Sequence, residues 1–154
     1  MLPIEHIHPI LVHFPIVLLP IAVGLDFIAM TRNCNLAAGR GLSAVSLGAF
    51  TLGSLAALAA ALFGGIAMDV ALQKGYPEAL FEDHEGLAWT TVCFFGALAG
   101  VRLLAWWRTV DLSGFRGWSI VAAGVVGLAI LAATAFHGGE LVYGHGVNVA
   151  SVRF

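Results

Sequence analysis

The residues of this 154-residue chain best suited to chemistry are its six histidines, His6, His8, His13, His84, His137 and His145. Imidazole ligates iron, copper and zinc alike, and it exchanges protons near neutral pH. Other reactive groups are sparse. The two cysteines, Cys34 and Cys93, lie far apart, acids gather in Glu82-Asp-His-Glu85, and Asp26 is the one carboxylate well inside an apolar run. The two-histidine zinc helix H-E-x-x-H does not occur. Neither does C-x-x-C-H, the attachment motif of an ordinary covalent haem. His8 and His13 are five positions apart, which sets them about 140° apart around a helix and directs them to different neighbours. Imidazoles spread over separate helices suit a cofactor wedged between those helices, such as haem iron with one His from each side.

Those helices must be membrane spans. With 60% hydrophobic and 10% charged residues, the chain has too few polar side chains to coat a globule of its size. A net charge of -2 with scattered basic residues excludes nucleic acid as a partner and leaves membrane lipid as the surrounding phase. The N-terminal apolar run continues past residue 20 without a basic start or a small-residue cleavage site, so it reads as a retained span. Stretches of about 20 apolar residues, the length that crosses a bilayer, fall at residues 9–30, 42–68, 87–107 and 118–136. The expected fold is all-α, a four-transmembrane-helix bundle forming a single membrane domain over residues 1–154, with a tail over 137–154.

Basic residues are retained in short cytoplasmic loops. Arg32, Arg40, Arg102, Arg108 and Arg116 flank the loops on one side, against Lys74 and Arg153 with most of the acids on the other. Both termini are therefore expected on the outer side, the periplasm of a bacterial inner membrane. That orientation puts all six histidines toward the outer face, where imidazoles close to or within a span point to function. Gly48, Leu52, Ala56, Ala60 and Gly64 recur every four residues, and Gly96-Ala-Leu-Ala-Gly100 is a G-x-x-x-G. Such residues bring helix backbones close, or make room for a flat ligand.

Supporting roles fall to neighbours. Glu82 and Asp83 favour a helix N-terminus, whereas Glu85 could accept the second ring N–H of a ligating His. Asp26, about 26 Å along the helix from Pro9, is expected near the inner interface, where it snorkels or pairs with Arg32, Arg40 or Arg102. Beyond Gly138, residues 141 to 149 alternate in character, which predicts an extended segment folded over the outer face. Gly144 and Gly146 would then let His145 approach the other histidines.

The start His8-Pro-x-x-Val-His13-Phe-Pro-Ile, a His before the third span at His84, and the ending Gly138-Gly-x-Leu-Val-Tyr-x-His145-Gly-Val resemble a bacterial family of predicted membrane proteins, domain of unknown function 2231. The resemblance spans nearly the whole chain and implies a four-helix membrane layout. It carries the motif histidines His8, His13, His84 and His145, with Tyr143 in the closing motif. Association of such proteins with redox proteins, including Rieske-type iron-sulfur domains, implies electron transfer.

The leading expectation is a b-type cytochrome or electron-transfer subunit. One or two non-covalent haems b would be held near the periplasmic face by His8, His13, His84 and His145, with Glu85 and Tyr143 supporting them. Such a subunit relays electrons between a donor, quinol among the candidates, and a redox partner protein or larger membrane complex, a role that requires no catalysis by this chain alone. The alternative is a copper or zinc site built from the same imidazoles plus Glu85 or Asp69, for metal handling or complex assembly. A structural subunit without a cofactor is the third reading.

Overall fold

The computed structural model describes residues 3–149. Among these, regular structure is entirely helical, and four helices are long and apolar enough to cross a membrane: Ile4–Thr31, Gly41–Gln73, Glu82–Trp107 and Gly114–Gly144. The first is segmented. A 3₁₀ turn at Ile4–His6 leads into α1 (Ile7–Leu11), and Val12 separates α1 from α2 (His13–Thr31). Pro15 explains the break, because it has no N–H to offer the Leu11 carbonyl four residues back. Pro9 therefore sits within the first helical turns rather than starting the span, and His8 lies on helix instead of ahead of it.

α3 (Gly41–Gln73), α4 (Glu82–Trp107) and α5 (Gly114–Gly139) follow, joined by short loops. At 33 residues, α3 is about 50 Å long, well beyond the roughly 30 Å hydrocarbon core of a bilayer. Its last turns stand clear and hold both ends of the described chain. Lys74 Nζ contacts Glu5 Oε1 at 3.2 Å and Asn148 Oδ1 at 3.1 Å, so the two ends lie together at one end of the bundle. The tail does turn back over that end, but not as an extended strand. Glu140–Gly144 winds on as a π-helix closed by His145 N–H to the Glu140 carbonyl, and Gly146, at φ +67°, allows the reversal. Tyr76 Oη then donates to the Gly146 carbonyl, and Val147 packs on Ala71 and Phe81. Arg153 lies outside the described residues.

The main core runs along the bundle axis through Leu19, Phe50, Phe95, Leu98 and Val121. The buried stripe of α3 is Ser46, Phe50, Gly53, Ala57 and Ala60, not the expected four-residue series, in which Gly48 faces outward and Leu52 is 60% exposed. A strict repeat of four drifts about 40° per step around a helix, so only its end, Ala60 and Gly64, reaches a neighbour. Gly96 and Gly100 also face outward, with nothing within 4 Å of an added Cβ. Gly53 is one of the close approaches in the core, where a Cβ would meet Leu19 at 2.9 Å; buried Gly124 and Gly127 of α5 approach Val23 and Phe95 in the same way. Gly53→Val is accordingly expected to cost about 1–3 kcal/mol in chemical unfolding of the detergent-solubilised chain.

A second polar element lies within the bundle. Arg102 of α4 and Asp26 of α2 form a buried ion pair at 2.6 Å, with side-chain exposures of 0% and 1%. Ser46 of α3 donates to the Asp26 carboxylate and accepts from Arg102 at 2.7 Å, while Arg102 Nη2 donates to the Leu36 carbonyl at 3.0 Å. Of the three arginines expected as partners for Asp26, Arg102 is the one that pairs with it, and the pair is buried among the helices.

Candidate functional site

At the end of the bundle where the described termini meet, two histidines are set by the same device. His8 Nδ1 lies 2.8 Å from the Ala60 carbonyl, and a Cβ added to Gly64 would touch the His8 ring at 3.1 Å. His84 Nδ1 lies 3.1 Å from the Thr134 carbonyl, and a Cβ added to Gly138 would approach its Cε1 to 2.8 Å. In each case the imidazole donates to a carbonyl of a neighbouring helix and rests on the glycine four residues further along. Any side chain at Gly64 or Gly138 would displace the ring.

These bonds set the tautomer. A carbonyl oxygen only accepts, so Nδ1 carries the proton, and in the neutral ring Nε2 is the nitrogen with the lone pair. Metal-ligating histidines are held by their second ring nitrogen in this way. His13 has the same arrangement within its own helix, with Nδ1 2.6 Å from the Pro9 carbonyl. Three imidazoles therefore present a basic nitrogen at this end of the bundle.

The rings of His8 and His84 are neighbours, with centroids 6.2 Å apart and planes at 84°. A cleft opens on either side of the pair. One, of about 230 Å³, is lined by Glu5, His6, Glu85, Trp89 and the tail residues Val147 and Asn148. The other, of about 300 Å³, is lined by His13, Ile16, Thr91, Leu131, Thr134 and Tyr143. His8, His84, Ala61, Ala88 and Gly138 line both, so the imidazole pair stands at the junction. The walls are otherwise mostly apolar, as in a typical cofactor pocket.

Of the residues expected to form a site, His8, His13 and His84 are brought together. Glu85 borders the first cleft and Tyr143, 92% exposed, borders the second. His145 is exposed and lines neither, because the π-helical turn carries it outward. His137 pairs with Glu140 at 3.4 Å. The sequence reading passed over Thr134, whose carbonyl orients His84 and whose hydroxyl bonds Thr91 at 2.8 Å, and over the assignment of Gly64 and Gly138 to particular rings. No signal in the sequence marks them, because every residue bears a carbonyl and the pairing of ring with glycine appears only once the helix pairs are known. Among the described residues no three of His, Cys, Asp and Glu form a group that could hold a metal ion unaided.

Fold and composition define a multi-pass membrane protein with four spanning helices. The chain belongs to the family of predicted membrane proteins designated DUF2231, whose model matches residues 5–151. No curated protein and no solved structure matches it.

Proposed function

We propose that this protein is a membrane-bound b-type cytochrome, or the electron-transfer subunit of a larger membrane complex, with non-covalent haem b at the His8, His13 and His84 cluster. The observation that carries the reading is the set of Nδ1 bonds to the Ala60, Pro9 and Thr134 carbonyls, which leave three Nε2 lone pairs beside two apolar clefts. The donor set fits haem. The porphyrin brings four nitrogen ligands, so the protein needs to supply one or two imidazoles, whereas a structural zinc site needs four protein ligands. A haem held here supplies a one-electron iron couple. The residues hold the rings in register and exclude water through the apolar walls.

The loop charges support a bacterial inner-membrane protein with the site facing the periplasm. There a quinol or a periplasmic donor would deliver electrons for a redox partner protein. The test is the absorption spectrum of the purified chain, oxidised and then dithionite-reduced, alongside elemental analysis. A Soret band with a sharp α band on reduction and stoichiometric iron are the expected results. A colourless chain carrying stoichiometric copper or zinc would replace the haem reading with a metal-handling one.

A further inference from the structure

We infer that His8 and His84 share one iron, and that a single haem lies across both clefts with His13 off the metal. This rests on the haem reading and narrows it to one haem and one ligand pair. Two imidazoles on opposite sides of one metal, each with a bond of about 2 Å, have ring centres roughly 6 Å apart. His8 and His84 stand at 6.2 Å. Their Nδ1 atoms are tied to different helices, α3 and α5, so each ring is held from its own side.

The clefts give the same answer. Both are walled by His8 and His84, so a flat ring passing between the two imidazoles has one edge in each. At about 230 and 300 Å³, neither is roomy on the scale of roughly 300–1,000 Å³ usual for ligand sites. Together they suit a macrocycle. His6 borders only the first cleft and His13 only the second, placing both away from the junction. Among the described residues, His8 and His84 are the one pair of neighbouring imidazole rings. A second bis-His centre has no comparable pair.

The test uses the full chain purified in detergent, with haem per chain measured as the pyridine haemochrome and spin state by electron paramagnetic resonance. The expected result is one haem per chain with a low-spin signal, strongly anisotropic because the imidazole planes lie near perpendicular. His8→Ala and His84→Ala should each lose that signal, giving high-spin or absent haem, whereas His13→Ala should keep it. His84→Gly guards against simple misfolding, since free imidazole should restore its low-spin spectrum. Two haems per chain, a low-spin centre that survives both His8→Ala and His84→Ala, or its loss in His13→Ala would overturn the pairing while leaving the cytochrome reading intact. A wild-type chain without haem would overturn both.

Discussion

Asp26→Ala is expected to destabilise the bundle by about 3–5 kcal/mol, the cost of stranding one member of a buried ion pair. Arg102 Nη1 donates to both Asp26 carboxylate oxygens, at 2.8 and 2.6 Å, and its side chain has no exposure to solvent. Without Asp26 the guanidinium keeps only a hydroxyl and a carbonyl as partners, within a segment surrounded by lipid. Because the network joins α2, α3 and α4 to the Leu36 loop, the loss should be cooperative. Chemical unfolding followed by circular dichroism in detergent measures it. The double variant Asp26→Leu with Arg102→Met should recover most of the stability, since a well-packed apolar pair is often as stable as the ion pair it replaces. A single-variant cost below about 1 kcal/mol, the range of exposed pairs, would show that the charges are not desolvated.

Gly138→Val is expected to weaken cofactor binding at least tenfold, about 1.4 kcal/mol, while leaving the helical fold in place. The first added carbon already lies 2.8 Å from His84 Cε1. His84 cannot yield without losing its bond to the Thr134 carbonyl, and with it the orientation of Nε2. The new side chain also enters the wall common to both clefts. Gly64→Val should act in the same way on His8, with less force because its contacts start at 3.1 Å. Gly24→Val, with nothing within 4 Å of its first carbon, serves as the control. Haem titration followed at the Soret band measures all three, and an undiminished affinity in Gly138→Val would remove His84 from the site.

Composition and hydropathy made the four spans legible, because a lipid-exposed helix must be apolar along its whole length. The expected boundaries at 42 and 107 fall within a residue of the observed ends of α3 and α4. The site was half legible. Residue type singled out His8, His13 and His84, but the packing of Gly64 on His8 and Gly138 on His84 depends on which helices are neighbours. Periodicity failed in two places. The repeat of four from Gly48 suggests one close-packing face although it winds around α3, and the alternation after Gly138 suggests an extended segment where the backbone continues as a π-helix. Asp26 was legible as a costly carboxylate with Arg102 among its partners, whereas the depth of the pair depended on Ser46 arriving from α3.

The central claim, that haem binds at the histidine end of the bundle, is tested most directly through Trp89. It borders the first cleft, while Trp106, Trp107 and Trp118 lie toward the other ends of α4 and α5. In a chain with those three replaced by phenylalanine, titration with haem should quench the Trp89 emission almost completely and saturate at one haem per chain. Trp89 emission unchanged by haem would contradict the account.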